Sequence, residues 1–171
     1  HDSELPEEYQ SNNGFYNYDH LSSVVFCVNT DLEAELGLEI NSYADLLNPA
    51  LNGKVIISDP TSSSAAWNNL SNIFAVYGND SDEAWAQIEG MLQNGLIVVG
   101  SSSACFKSVQ QGEYVVGLTY EDGASTLLKD GATNIKMVYP SEGSSAFAFA
   151  AAIVKNAPHM DAAKAMIEWL Q

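Results

Sequence analysis

Short apolar runs alternate with segments of helical periodicity along most of this 171-residue chain. Each run is apolar throughout rather than at every second residue, which predicts a strand buried on both faces. A sheet of such strands needs a layer of helices on each face, so the sequence predicts an α/β fold with a mostly parallel sheet. The predicted strands are "SSVVFCVNT", "KVIIS", "GLIVVG", "YVVGLTY" and "NIKMVYP", which begin at residues 22, 54, 95, 114 and 134.

The segments between these runs carry the signals of helices. Apolar residues recur at helical spacing after residue 64, and Gly78 is placed to end that helix. Ser81 is a predicted N-cap for the next one. Shorter helices are predicted around "ACFKSV" and "ASTLLKD", and "YADLLNPALNGK" predicts one helix broken at Pro49. The run "AFAFAAAIV" predicts one more extended segment before a closing helix at 160–170.

Two serine-rich stretches stand where a predicted strand gives way to a predicted helix. We call Thr61–Ser64 the first serine segment and Ser101–Ser103 the second serine segment. In parallel sheets, ligands bind beyond the carboxyl ends of the strands. A helix start there offers unpaired N–H groups and a partial positive charge, which suit phosphate, phosphonate or carboxylate. Because serine is also a common N-cap and turn residue, the residues alone leave both interpretations open.

Acidic side chains follow the two later strands. Glu121 comes after "YVVGLTY" and Glu142 after "NIKMVYP", which would bring both to the same rim of the sheet as the serines. A carboxylate in that position can accept hydrogen bonds from sugar hydroxyls, pair with an ammonium group or bind a hard cation. The alternatives are a solvated loop charge for each and, for Asp122, a helix N-cap.

Charge and cysteine content narrow the range of partners. The chain has 22 acidic and six basic residues, and a net charge of −16 argues against nucleic acid and anionic membrane surfaces. All six basic residues are lysines, so an anion site would depend on amides and hydroxyls. Cys27 and Cys105 are favoured as buried free thiols, with one disulfide as the alternative. They and the three histidines predict no metal centre and no cofactor, and no apolar run is long enough to span a bilayer.

Three longer stretches together resemble the type II extracellular solute-binding proteins of ABC importers. They are "LLNPALNGKVIISDPTSSSAAWNNL", "VVGSSSACFKSVQQGEYVVGLTYEDGA" and "KMVYPSEGSSAFAFAAAIVKNAPHMDAAKAMIEWL". The resemblance is strongest to the group that binds ferric iron, aminoethylphosphonate or sugar phosphates. It implies a type II lobe with hinge strands: a remnant of the first lobe at 1–22, a hinge strand at 23–31, the second lobe at 32–143, and a return strand and helix at 144–171.

The same resemblance implies where a solute would be held. The serines would contact an anion, the residues after "VGLT" would contact the rest of the solute, and the "PSEG" turn would add a carboxylate. The ligand-binding residues so implied are Ser62, Ser63, Ser64, Ser102, Ser103, Tyr120, Glu121 and Glu142.

The implied function is capture of a small polar anion, a phosphorylated sugar or a phosphonate, for transfer to the permease subunits of an ABC importer, without catalysis. It places the protein outside the cell or in the periplasm, with a lipid anchor on the full-length protein left open. A ferric site is the alternative. Ferric-binding relatives carry two adjacent tyrosines where this chain has Tyr120 and Glu121, and one phenolate binds ferric iron less well than two, although Glu121 could substitute. A further alternative is a hydrolase that uses Glu121 and Glu142 as a carboxylate pair. The sequence has no GxSxG motif of a serine hydrolase.

Overall fold

The structure, a computed structural model, describes residues 6–11 and 13–170. Its strands are β1 (Asn17–Asn29), β2 (Val55–Ser58), β3 (Ile97–Val99), β4 (Val116–Tyr120), β5 (Ile135–Val138) and β6 (Ala146–Ala151). Its α-helices are α1 (Thr30–Glu35), α2 (Ser64–Tyr77), α3 (Asp82–Gln93), α4 (Ala104–Gln110), α5 (Glu121–Lys129) and α6 (Met160–Leu170). Short 3₁₀ turns cover Glu7–Tyr9, Ala44–Leu47 and Pro49–Leu51.

The chain forms two compact units. Unit 2 consists of Ser23–Ser145, and unit 1 contains the described residues up to Ser22 together with those from Ala146 onward. In unit 2 the strand order is β3-β2-β4-β1-β5. Strands β2, β3 and β4 are parallel, whereas β1 is antiparallel to both β4 and β5. The carboxyl ends of β2, β3, β4 and β5 therefore meet at one edge of the sheet.

Helices cover both faces of the unit 2 sheet. Phe26 of β1 and Leu118 of β4 belong to a cluster on the face that α2 and α3 cover. Cys27, the next residue of β1, belongs to a second cluster with Phe106 of α4 and Ala124 of α5. Successive residues of one strand are thus buried on opposite sides, as the continuous apolar runs indicated. The predicted α/β fold with a helix-flanked sheet is confirmed.

Several local predictions differ from the structure. The run at 95–100 was predicted as a buried strand, but β3 is an edge strand and the Val98 side chain is 50% exposed. This prediction was wrong because an apolar run does not reveal which strand lacks a second neighbour. Strand β1 begins at Asn17, earlier than predicted, and Asn29 caps an additional helix, α1. Two 3₁₀ turns flank Asn48 in place of the helix predicted around Pro49.

Unit 1 is built from the first half of β1, from β6, which pairs with β1, and from α6. The rings of His20 and Phe149 stack with their centroids 4.8 Å apart. None of the residues of α6 is buried, and Trp169 is 76% exposed. Among the residues that the structure describes, none of the helices combines the length and apolar character needed to cross a bilayer.

Candidate functional site

The structure brings the predicted segments to the same edge of the unit 2 sheet. The first serine segment follows β2, the second follows β3, and α5 begins directly after β4. Ser58, the last residue of β2, is aligned with Val99, the last residue of β3, and the N–H of Asp59 donates to the carbonyl of Val99 at 2.8 Å. The two serine segments therefore leave adjacent strands at the same level.

The first serine segment caps α2. The Ser63 Oγ accepts hydrogen bonds from the N–H of Ala66 at 3.4 Å and from the Ser58 hydroxyl at 2.9 Å. The carbonyl of Asp59 accepts from the N–H groups of Ser62 and Ser63, at 3.1 and 2.9 Å. The Ser63 hydroxyl is therefore bonded within the protein and stabilises the loop before α2.

The first two backbone amides of α2 are available to a ligand. Within the described residues, the N–H groups of Ser64 and Ala65 have no hydrogen-bond acceptor. The side chains of Ser62 and Ser64 are exposed beside them. Because these amides lie at the start of a 14-residue helix, they can donate to an anion at the positive end of the helix dipole.

A carboxylate lies in the same loop. Asp59 Oδ1 accepts hydrogen bonds from the Thr61 hydroxyl at 2.7 Å and from the Thr61 N–H at 2.8 Å. These bonds lower the pKa of Asp59 below its usual value. An anion bound at the start of α2 would share this edge with a fixed negative charge, which favours solutes that also present a hydrogen-bond donor.

The second serine segment is arranged differently. The N–H of Ala104 donates to the carbonyl of Ser101 at 3.2 Å, and the N–H of Cys105 donates to that of Ser102 at 3.3 Å. Ser103 precedes α4 but makes no side-chain cap, and its Oγ lies 3.1 Å from the Ser101 Oγ. The segment therefore offers hydroxyls, because the first amides of the seven-residue helix α4 are already bonded.

The two predicted residues after β4, Tyr120 and Glu121, have different surroundings. The Tyr120 ring meets Phe106 edge-on, with centroids 5.9 Å apart, and is partly buried. Glu121 is the first residue of α5, and its Oε1 accepts a hydrogen bond from the Tyr139 hydroxyl at 2.7 Å. This bond raises the pKa of Tyr139. Tyr139 was not among the predicted site residues, although it directly follows β5 within the run "NIKMVYP".

Glu142 is turned toward the interior of unit 2. Its Oε1 accepts from the Tyr77 hydroxyl at 2.9 Å, and its Oε2 accepts from the N–H of Tyr43 at 3.2 Å. Burial, and then this bond to Glu142, raises the pKa of Tyr77. The carboxylate thus fastens the loop after β5 to α2. Its predicted contact with a solute stays a prediction, and the structure gives Glu142 a structural role.

The two cysteines are free and buried, as favoured by the sequence. Burial raises the pKa of Cys27 to about 12 and that of Cys105 to about 11. Across residues 6–11 and 13–170, no group of three or more His, Cys, Asp or Glu side chains could hold a metal ion.

Comparison with known proteins gives a family match. Residues 14–171 match the family model described as "Bacterial extracellular solute-binding protein". An uncharacterized protein of Haemophilus influenzae is 27% identical over 146 residues, which cover 84% of this chain and 41% of that protein. The chain thus spans less than half the length of this curated relative.

Solved structures share the fold. The periplasmic binding protein AfuA from Actinobacillus pleuropneumoniae, with exogenous fructose-6-phosphate bound, has a TM-score of 0.85 at 23% identity, over 99% of this chain and 54% of AfuA. Iron-bound HitA from Pseudomonas aeruginosa has a TM-score of 0.73 at 21% identity, over 97% of this chain and 54% of HitA. At these identities the likeness shows the fold alone.

Proposed function

Because this chain belongs to the bacterial extracellular solute-binding protein family, we propose that the whole protein is the solute-binding component of an ABC importer. It would work outside the cytoplasm, in the periplasm or at the cell exterior, and would deliver its solute to the permease subunits. The chain spans about half the length of the solved relatives, so the importer function is proposed for the whole protein and not for these 171 residues alone.

In this proposal, unit 2 is the second lobe and unit 1 is part of the first. Strands β1 and β6 would be the hinge strands, since β1 runs through both units and β6 follows Ser145 directly. The exposure of α6, including Trp169, supports the assignment, because an isolated helix face with such residues is costly in water. The remainder of the first lobe would cover this face.

The proposed solute is a small polar anion, either a phosphorylated sugar or a phosphonate. The observation that carries this proposal is the pair of open amides at Ser64 and Ala65, placed at the carboxyl edge of the sheet next to exposed serine hydroxyls. Backbone donors at the start of a long helix bind phosphate-like groups without arginine, which this chain lacks. Ser102 and Ser103 would add hydroxyl donors from the adjacent strand exit.

The other end of the solute would meet Tyr120 and Glu121. A carboxylate there accepts hydrogen bonds from hydroxyl or ammonium groups, which the fixed charge of Asp59 also favours. The solute would be held in the interlobe cleft of the complete protein, and its higher affinity for the closed form would drive closure. No bond is made or broken. The hydrolase alternative lacks support from geometry, because Glu142 is bonded to Tyr77.

The decisive experiment is native mass spectrometry of the full-length protein as isolated. A co-purified sugar phosphate or phosphonate would support the proposal, and calorimetry with that compound would then measure its affinity. A bound solute without an anionic group would contradict it.

A ferric-ion-binding function is the second candidate. One observation favours it: the structure adds a second phenol, Tyr139, beside Glu121 at the same rim as Tyr120. Phenolate and carboxylate oxygens suit ferric iron. However, the hydrogen bond to Glu121 raises the pKa of Tyr139 and so opposes phenolate formation. Adding a ferric salt to the full-length protein should give no visible tyrosinate-to-iron band; such a band would favour this candidate over the first.

A further inference from the structure

Tyr139 and Glu121 meet at the rim of the unit 2 sheet although they follow different strands. In β1, which lies between β4 and β5, Val24 is aligned with Tyr120 and Phe26 with Val138. Glu121 and Tyr139 are the next residues after these two partners. The sheet therefore brings them to the same edge, with β1 between them. Strand β1 continues past this level to Asn17, and the two side chains meet beside it.

The contact between them has the geometry of a strong hydrogen bond. The Tyr139 hydroxyl donates to Glu121 Oε1 at 2.7 Å, a short distance typical of a bond to a charged acceptor. The Tyr139 side chain is 48% exposed, so the bond is made at the surface and not in the core. A contact in this position contributes less to folding than a buried one, and its main effect is to orient the carboxylate.

The bond leaves half of the carboxylate available. Among the residues that the structure describes, Oε2 of Glu121 has no hydrogen-bond donor. Because Oε1 is held, the carboxylate is oriented before a solute arrives, and less side-chain freedom is lost on binding. A tyrosine ionises at about pH 10, and the neighbouring carboxylate raises the pKa of Tyr139 further, so the phenol is the donor at neutral pH.

We propose that Tyr139 is a positioning residue for solute recognition: its hydroxyl holds Glu121 so that the second carboxylate oxygen accepts a hydrogen bond from a hydroxyl or ammonium group of the solute. This inference rests on the proposed function, since it needs a solute that reaches the rim. In this inference, two sites on unit 2 recognise different parts of the solute. The start of α2 binds the anionic group, and the Tyr139–Glu121 pair selects what is attached to it.

The test uses the full-length protein and two probes, fructose 6-phosphate and inorganic phosphate. Tyr139→Phe should weaken binding of fructose 6-phosphate about threefold to tenfold, the range expected when one side chain must be ordered on binding. Binding of inorganic phosphate should not change, because phosphate has no attached group for Glu121 to contact. In an E121Q background, adding Y139F should produce no further loss, since Tyr139 acts through the carboxylate.

Tyr114 provides the matched control. It is a tyrosine of unit 2 that is more buried than Tyr139, and its hydroxyl makes no hydrogen bond to the described residues. Tyr114→Phe should leave both affinities unchanged. If Y139F behaves like Y114F, weakens both probes equally, or causes a further loss in the E121Q background, the inference is overturned.

The outcomes for the unsubstituted protein distinguish this inference from the proposed function. Binding of phosphate without binding of either fructose 6-phosphate or 2-aminoethylphosphonate would overturn the inference alone, because the anion contact would work without recognition of an attached hydroxyl or ammonium group. If none of these three compounds binds, the anion-binding function fails and the inference fails with it.

Discussion

The two serine segments look alike in sequence but differ in what they offer a ligand. The first leads into the 14-residue helix α2 and leaves the amides of Ser64 and Ala65 open. The second leads into the seven-residue helix α4, whose first amides bond to the carbonyls of Ser101 and Ser102. Anion binding by a helix start thus depends on whether the turn before the helix already uses its amides, which the presence of serine does not reveal.

The largest expected effect is on stability, through the packing of α4, the helix that follows the second serine segment, against β4. A Cβ at Gly117 of β4 would lie 1.7 Å from the carbonyl oxygen of Cys105, a backbone atom of α4 that cannot rotate away. Gly117→Ala should therefore lower the free energy of unfolding by about 3 kcal/mol or more, measured by denaturant titration. The control is Gly100→Ala, where a Cβ meets nothing within 4 Å, and it should change stability by less than about 1 kcal/mol. Equal stabilities of the two variants would refute the close packing of α4 on β4.

The second prediction tests the open amides of the first segment. Ser64→Pro removes one N–H from the first turn of α2, where proline is tolerated. Ser63 is extended (φ −124°, ψ 118°), as suits the residue before proline. In the full-length protein, affinity for fructose 6-phosphate should fall about tenfold, the usual effect of losing one hydrogen bond to a charged group, with thermal stability retained.

Ser64→Ala is the control for this prediction. It removes the hydroxyl but keeps the amide, so it should bind more tightly than S64P. If calorimetry gives the two variants the same affinity, the amide makes no contribution.

A smaller effect distinguishes the caps of α2 and α4. Ser63 caps α2 with its hydroxyl, whereas Ser103 makes no side-chain cap. Ser63→Ala should lower the free energy of unfolding by about 1 kcal/mol, and Ser103→Ala should lower it by only about 0.3 kcal/mol. Denaturant midpoints of the two variants, measured in parallel, would test this difference. A larger loss for S103A would reverse the comparison.

The smallest expected effects are opposite pH dependences. Burial raises the pKa of Cys105, next to the second segment, to about 11. Because the unfolded thiol ionises at lower pH, stability should fall as the pH rises from about 9 to 11. Hydrogen bonds from Thr61 lower the pKa of Asp59 in the first segment, so its contribution is present above its unfolded pKa and is lost as the pH falls below about 4.

Thermal unfolding at a series of pH values should show both slopes. The Cys105→Ser variant should have a shallower decline on the alkaline side, and the Asp59→Asn variant a shallower one on the acidic side. An unchanged alkaline slope in C105S would show that Cys105 is not the group responsible. An unchanged acidic slope in D59N would show the same for Asp59.

The outcome for the eight predicted site residues shows which part of a site can be deduced from sequence. Ser64 and Glu121 lie at the sheet edge with groups available for a ligand. Ser62 is exposed there too, but its hydroxyl already donates to the Asp59 carbonyl at 3.4 Å. Ser63 is bonded to Ser58, five residues earlier, and Glu142 to Tyr77 of α2. No motif in the sequence indicates either pairing. Motifs locate strand exits, but they do not show which side chains are already paired.

The sequence by itself determined the order of the strands and of the helices from α2 onward, and the placement of serines where strands end. These features depend on side-chain periodicity and capping, which act over a few residues. Only the tertiary structure decided that β1 runs antiparallel between β4 and β5, that β3 lies at the edge, and that Tyr139 meets Glu121. These features arise from pairing between strands that are distant in the chain, and such pairing is selected by the packing of the whole sheet and not by any local pattern.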